Sequence, residues 1–240
     1  MSRLYCLLPV MLLLLLCLPG AALATVPGDP GRLAASGRHL PVLRRAASPD
    51  DRVALSFDLT WGEAEYGRIK AVLAEKGVRA TFFAGGNWVA NHPREVQRLA
   101  AAGHEVGTLG LRIVELGGLP AGQVTAQLMH AQDMLEQVLG RPVRLFRPPL
   151  DARPGEAVLQ AADAAGLLTV TYSLDSRDQS LRGAKLVRHV VKGARRGDIV
   201  RLTASDFAPA TAAALPAIIE GLQARGFRLV PVGDLLPEPR

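Results

Sequence analysis

The sequence predicts an α/β fold, either a (β/α) barrel or an open doubly wound sheet. Short apolar or β-branched runs alternate along the chain with longer segments in which apolar residues recur three and four positions apart. The connections between successive runs are long enough for parallel strand pairing, and no internal repeat is evident. In either architecture the side chains that carry chemistry gather at the carboxyl ends of the strands.

The N-terminal segment 1–24 is typical of a secretory signal peptide. Arg3 is its only charge, the run 7–18 is almost wholly apolar, and small residues precede a cleavage point after Ala24. The apolar run is short for a membrane span, but an uncleaved copy would act as an N-terminal anchor. We therefore expect an exported protein, extracellular or in the cell envelope, with cleavage and tethering both open.

The next segment, 25–51, is rich in Pro, Gly, Ala and Arg and has no sustained apolar period. This composition predicts a flexible tether or a loosely packed strap. The folded domain is predicted over 52–236.

Within that domain, the apolar pattern predicts seven strands separated by about six helices, of which three are given bounds here. The strands are expected at 53–59, 80–84, 105–109, 145–147, 168–174, 199–203 and 228–232. The helices are expected over 66–77, over 121–139, and around 215–222, ending before Gly226.

Composition excludes several function classes. Lys and Arg number 28 against 22 Asp and Glu, a net charge of +6, and no basic run is interleaved with aromatic residues, so a nucleic-acid partner is not expected. Attraction to anionic cell-wall polymers is compatible with this charge. Both cysteines, Cys6 and Cys17, lie in the predicted signal, so the exported product has no disulfide, cysteine nucleophile or thiolate metal site.

Six motifs in a fixed order carry a family resemblance. They are VALSFD at 53–58, ATFF at 80–83, GHEVG at 103–107, FRPP at 146–149, SLDSRD at 173–178 and GDIV at 197–200. Together they resemble the polysaccharide deacetylase family, the NodB-homology domain or carbohydrate esterase family 4. The resemblance implies a distorted (β/α) barrel, a metal-bound water, and hydrolysis of acetyl groups on sugars such as those of chitin or peptidoglycan, including carbon–nitrogen bonds that are not peptide bonds.

A particular branch is indicated by the variant first motif. The stretch FDLTWG at 57–62, together with 204–206 and 214–216, resembles the sporulation-type deacetylase-like proteins of endospore formers. In that branch the histidine motif is commonly altered as well.

The resemblance also implies site residues. Asp58 matches the family's general base, Arg147 the arginine that orients it, and Asp175 with Asp178 the carboxylates opposite. From the residues alone, an Asp58–Arg147 buried ion pair is as well supported as an acid–base couple. For Asp175 and Asp178, bonding to backbone N–H groups or to Arg177 is the favoured interpretation.

The predicted catalytic set is therefore Asp58, Arg147 and Asp175. The predicted substrate-binding set is Trp61, Pro148, Pro149, Leu150, Asp178 and Thr203. Trp61 could stack on a sugar ring, although a tryptophan at a barrel mouth is equally often part of the core. His104 is expected to be a packing and hydrogen-bonding residue.

The departures from the family pattern concern the metal. Active relatives place an aspartate and two histidines where this chain has Leu59, Leu109 and Ile113, and a histidine where it has Thr203. A catalytic zinc needs about three ligands with lone pairs, which aliphatic side chains do not offer. We therefore expect no zinc cofactor and weak or absent hydrolysis.

The sequence is compatible with three functions. The expected partner is a cell-wall polysaccharide, and no protein partner can be inferred. The first is residual hydrolysis by an Asp58-activated water or an unforeseen metal. The second is glycan binding without turnover, as a wall-associated or spore-assembly component. The third is a structural role without a ligand.

Overall fold

The computed structural model describes residues 42–47, 50–150 and 152–236 as a curled parallel sheet surrounded by helices. The strands are β1 (Val42–Leu43), β2 (Arg52–Leu59), β3 (Thr81–Ala84), β4 (Glu105–Thr108), β5 (Leu145–Phe146), β6 (Leu168–Val170), β7 (Leu174–Asp175), β8 (Ile199–Thr203) and β9 (Arg228–Val230). The helices are α1 (Ala64–Glu75), α2 (Gly86–Asn91), α3 (Pro93–Ala101), α4 (Ala121–Leu139), α5 (Glu156–Ala164), α6 (Gly183–Gly193) and α7 (Ala210–Ala224). Short 3₁₀ helices occupy Leu116–Gly118 and Gly233–Leu235.

The sheet curls back on itself to make a distorted barrel. Its strand order is β1-β6-β5-β4-β3-β2-β8-β7, with β9 beside the start of β2, and all these pairs are parallel. Strand β6 lies near one end of this order and β7 lies at the other end. The two strands are consecutive in the chain and only three residues apart. Thr171 donates to the carbonyl of Leu43 in β1, while Ser173 donates to that of Ile199 in β8. One extended segment therefore bridges the two ends of the sheet.

Side chains alternate between the two faces of β2, as the strand period requires. Val53, Leu55, Phe57 and Leu59 pack into the larger core, which is shared with the surrounding helices. Ala54 belongs to a second, smaller core with Phe83 and Leu109, and Ser56 and Asp58 follow at the same alternating positions. The face that carries Asp58 is therefore opposite to the face that carries Leu59.

The observed elements confirm the predicted fold class and most of the predicted strands. The helix predicted over 121–139 and the strand over 199–203 have the expected bounds. The single strand predicted over 168–174 is wrong, because the chain changes pairing partner there and divides into β6 and β7.

Part of the segment predicted as a tether or a loosely packed strap forms regular structure. Val42–Leu43 forms β1 against β6, Ala46 is buried, and the amide of Ala46 donates to the carbonyl of Gly197 at 2.9 Å. The run is too short to show a period, which is why its strand was not predicted. The rest of 25–41 and the signal segment 1–24 lie outside the described residues. Within the described ranges, no helix combines the length and apolar character needed to cross a bilayer.

Candidate functional site

The centre of the site is Asp58, at the carboxyl end of β2. One carboxylate oxygen accepts a hydrogen bond from Arg147 Nη1 at 2.8 Å, and the other accepts one from Arg201 Nε at 2.6 Å. Only 11% of the Asp58 side chain is exposed. Both oxygens are thus engaged by guanidinium groups in a largely desolvated setting, where charge-assisted bonds are strong.

Arg147 is held in place from several directions. Its Nη2 atom donates to Ser56 Oγ at 2.8 Å and to the carbonyl of Thr171 at 3.3 Å, and its guanidinium lies 4.1 Å from the ring centroid of Phe83. Burial lowers the pKa of Arg147, and the carboxylate of Asp58 opposes that shift. A guanidinium nevertheless stays protonated in proteins, so the contact with Asp58 is an ion pair. The buried ion pair that the sequence left as one of two alternatives is therefore present.

Arg201 connects this pair to the next carboxylate. Its Nη1 atom lies 3.4 Å from Asp175 Oδ2, and its guanidinium lies 5.4 Å from the ring centroid of Tyr172. Burial alone would lower the pKa of Arg201, but Asp58 and then Asp175 outweigh it and raise that pKa. The cluster holds two cations and two anions, one of which, Asp175, is half-buried.

Asp178 is hydrogen-bonded to residues of β8 and α7. Its carboxylate accepts hydrogen bonds from the Thr203 amide at 2.6 Å, the Thr203 hydroxyl at 3.0 Å and the Thr211 hydroxyl at 2.8 Å. Burial raises its pKa, and these three bonds act in the opposite direction. Asp175 accepts a bond from the Arg177 amide at 2.9 Å. Each carboxylate therefore accepts one bond from a backbone N–H group, and the remaining contacts come from the two threonine hydroxyls and from Arg201.

A groove of about 940 Å³ opens above Asp58 and contains four of the predicted substrate-binding residues: Trp61, Pro149, Leu150 and Thr203. Trp61 is 72% exposed and therefore is not a core tryptophan. Leu150 is 73% exposed and has a positive φ of 60°, which is uncommon for a leucine. The other two predicted residues, Pro148 and Asp178, are buried and do not line the groove.

The loop that presents Trp61 is fixed by the loop after β8. Ser205 Oγ accepts hydrogen bonds from the amides of Thr60 and Trp61, both at 3.2 Å, and lies 2.8 Å from the Thr60 hydroxyl. Asp206 accepts a bond from the Glu65 amide at 2.9 Å, which satisfies an N–H group of the first turn of α1. Two sequence-distant segments thus set the position of the exposed indole.

The three positions aligned with metal ligands carry only aliphatic groups. Leu109 and Ile113 line the groove, and Leu59 is buried in the core on the other face of β2. Across the described ranges, no group of three or more His, Cys, Asp or Glu side chains is placed to hold a metal ion.

Two features of the site were missed in the sequence. Arg201 was not singled out, although the alternation in β8 puts it on the same face as Ile199 and Thr203. Phe207, which is exposed in the groove, lies in a loop without a periodic signal. His104, by contrast, is as expected: it is buried and its Nδ1 atom accepts a bond from the Ala80 amide at 3.3 Å.

Comparison with known proteins decides the family. Residues 45–170 match the sequence model of the polysaccharide deacetylase family. The chain belongs to the polysaccharide deacetylase family. A peptidoglycan-N-acetylglucosamine deacetylase of Bacillus cereus is 31% identical over 188 residues, which is 77% of this chain and 87% of that protein.

Other relatives of this deacetylase-family chain are longer. The protein YlxY of Bacillus subtilis is 28% identical over 189 residues, 78% of this chain but 58% of YlxY. A solved structure described as a CE4 family pseudoenzyme from Bacillus anthracis is 25% identical, with a TM-score of 0.78 over 85% of this chain and 71% of that one. A mutant of it described as having restored enzymatic activity is 26% identical with the same TM-score and covers 85% of this chain and 74% of its own.

Proposed function

We propose that this member of the polysaccharide deacetylase family binds an acetylated cell-wall glycan in its groove and hydrolyses it weakly or not at all. The observation that carries the proposal is the state of Asp58, whose two oxygens each already accept a hydrogen bond from a guanidinium group. A general base must be able to take a proton from a water within hydrogen-bond reach. Here that water would compete with Arg147 and Arg201.

The other parts of the hydrolytic machinery are not supplied either. The residues of the described chain do not fit a catalytic zinc, because Leu59, Leu109 and Ile113 have no lone pairs and a zinc site needs about three ligands that do. The hydroxyl of Thr203 is bonded to Asp178, and an alcohol does not act as a general acid near neutral pH. Loss of metal and acid together removes several kcal/mol of transition-state stabilisation each.

The groove has exposed aromatic rings and polar side chains that can bind a carbohydrate. The exposed rings of Trp61 and Phe207 offer faces for the apolar side of a sugar ring. Asn87, Arg112 and Gln179 line the same groove and supply donors and acceptors for hydroxyl and acetamido groups. This combination of apolar platforms and a few polar groups is typical of a small-molecule site.

The relatives support the choice of glycan and of location. The Bacillus cereus relative is a peptidoglycan deacetylase, and an Azorhizobium caulinodans relative is a chitooligosaccharide deacetylase. The Bacillus anthracis neighbour is described as a pseudoenzyme. We infer that the chain acts outside the cytoplasm, in the cell envelope, on peptidoglycan or a similar polymer.

Co-sedimentation with insoluble peptidoglycan, measured alongside acetate release, tests the proposal. The chain is expected to sediment without releasing acetate, and the double variant Trp61→Ala/Phe207→Ala is expected to stay in the supernatant. Met129→Ala, which removes an exposed apolar side chain on α4 outside the groove, is the matched control and should sediment as the parent does. Rapid acetate release that Asp58→Asn abolishes, or failure of the parent chain to sediment, would overturn it.

A further inference from the structure

A second surface, which shares no lining residue with the groove above Asp58, carries a different chemistry. The segment 179–197 contains six Lys and Arg residues and no Asp or Glu, so it alone matches the +6 net charge of the chain. These residues are Arg182, Lys185, Arg188, Lys192, Arg195 and Arg196. Helix α6 forms the middle of this segment.

Three of these cations form one stripe along α6. Lys185, Arg188 and Lys192 are spaced i, i+3 and i+7, which places them on the same helical face. All three are exposed, and none has a carboxylate partner among the described residues. The opposite face of α6 is anchored, since Leu186 and Val190 are buried in the core.

The stripe borders both a basic depression and an apolar groove. On one side Lys185, Arg188, His189 and Lys192 line a shallow depression of about 450 Å³. On the other side Arg188 and Lys192 border a groove of about 620 Å³ between α6 and α7, whose remaining lining is small or aliphatic. Those lining residues are Gly183, Ala184, Val187, Val191, Ala213, Ala214, Ala217 and Gly221.

This arrangement favours a lipid surface over a soluble polyanion. Cations beside a shallow apolar strip match a bilayer, in which phosphate headgroups lie next to acyl chains. A soluble polyanion would use the cations and leave the apolar groove uncovered. The absence of acidic residues from this segment removes the repulsion that anionic headgroups would otherwise meet.

The path of the chain brings its N-terminal side to this surface. Arg45 pairs with Asp198 at 2.6 Å and the Ala46 amide donates to the carbonyl of Gly197, so the segment that follows β1 lies beside the turn that follows α6. The apolar run 7–18 precedes this point in the sequence. The turn that Arg45 and Ala46 contact comes directly after the helix that carries the basic stripe.

We propose that the α6 face, with Lys185, Arg188 and Lys192 at its centre, docks on a bilayer that contains anionic phospholipids. Docking there holds the barrel at the outer surface of the membrane and leaves the Asp58 groove free for glycan. The proposal is independent of whether that groove binds sugar or releases acetate.

The test is partitioning of the full chain onto vesicles of phosphatidylcholine alone and of phosphatidylcholine mixed with phosphatidylglycerol, at low and high salt. The N-terminal run and its flanking Arg3 are the same in the parent and in every variant, so the readout is the part of the anionic-lipid increment that each variant loses. We expect a large increment that salt suppresses. The triple variant Lys185→Gln/Arg188→Gln/Lys192→Gln should reduce partitioning on the anionic vesicles on the order of 100-fold.

The control removes the same charge elsewhere. Arg94→Gln/Arg141→Gln/Arg144→Gln neutralises three exposed arginines outside α6 and is expected to keep most of the increment. Equal loss in both triple variants, or no increment with anionic lipid in the parent chain, would overturn the proposal. Competition by soluble poly(glycerol phosphate) as strong as that by anionic vesicles would also overturn it, in favour of a polymer ligand.

Discussion

Arg201 Nε lies 2.6 Å from Asp58 Oδ2, on the side of the carboxylate opposite to Arg147. The pairing joins the ends of β2 and β8, which are neighbours in the sheet and in which Asp58 is in register with Thr203. A carboxylate held between two guanidinium groups is well suited to closing the mouth of the barrel beneath the groove. It is poorly suited to accepting a proton from water.

Removing that carboxylate should destabilise the fold. Asp58→Asn leaves Arg147, whose side chain is only 2% exposed, without its anionic partner, and breaking a buried pair in this way costs about 3–5 kcal/mol. Chemical denaturation of both proteins measures the difference in the free energy of unfolding. Asp175→Asn is the control and should cost at most about 1 kcal/mol, since this side chain is 39% exposed and its contact with Arg201 is long. Equal costs for the two variants would mean that Asp58 is not the centre of the cluster.

The hydroxyl of Ser205 should matter for glycan binding without touching the glycan. Ser205→Ala leaves the Thr60 and Trp61 amides without their acceptor and frees the loop that carries the indole. We expect a stability loss of about 1–3 kcal/mol and up to about tenfold weaker sedimentation with peptidoglycan. Ser180→Ala, at an exposed hydroxyl that donates to the Arg177 carbonyl, should change neither quantity. Undiminished sedimentation of a folded Ser205→Ala protein would show that the loop does not need this support.

Two glycines at the start of α1 should respond in opposite directions to alanine. Gly62 has a φ of +77°, and a Cβ there would overlap the carboxylate of Asp206, so Gly62→Ala should destabilise by about 1–3 kcal/mol. Gly67 lies inside α1, where an added Cβ would meet only open space, and Gly67→Ala should stabilise by about 0.5–1 kcal/mol. Thermal melts of the two variants give the signs directly. Two shifts of the same sign would be incompatible with this loop geometry.

His104 should give the fold a defined sensitivity to acid. Burial, with a smaller effect of Arg79, lowers the pKa of His104 below its ordinary value of 6.5. The neutral ring is therefore favoured in the folded state, and stability that is present above about pH 6.5 is lost as the pH falls through the window between the unfolded and folded pKa values. His104→Gln should remove this part of the pH dependence. His130→Gln, at an exposed position of α4, should retain the parent's profile, and a parent profile unchanged by His104→Gln would refute the assignment.

Much of this fold could be predicted from periodicity, because most strands are continuous apolar runs between clear helices. Strand β2 and helix α4 are examples. The division of 168–175 into two strands could not be predicted, since it arises from a change of pairing partner from β1 to β8. The local sequence does not determine with which distant strand a segment pairs.

The site was predictable where motifs carried it and not elsewhere. The pairing of Asp58 with Arg147 followed from the family resemblance, and the structure places the two side chains 2.8 Å apart. The sequence did not indicate Arg201, because this residue lies outside the six motifs. It nevertheless provides one of the two guanidinium groups that bind Asp58. Pro148 was expected to contact substrate but is buried, whereas Leu150, two residues further along the chain, lines the groove.

A calorimetric titration of the full chain with Zn²⁺, repeated on Asp58→Asn, tests the central claim most directly. The claim is that Asp58 is the counter-ion of Arg147 and Arg201 in a barrel mouth whose described residues form no metal-ligand group. It predicts no stoichiometric zinc binding in the parent and the same weak heats in the variant. One equivalent of tightly bound zinc that disappears with Asp58→Asn would contradict it.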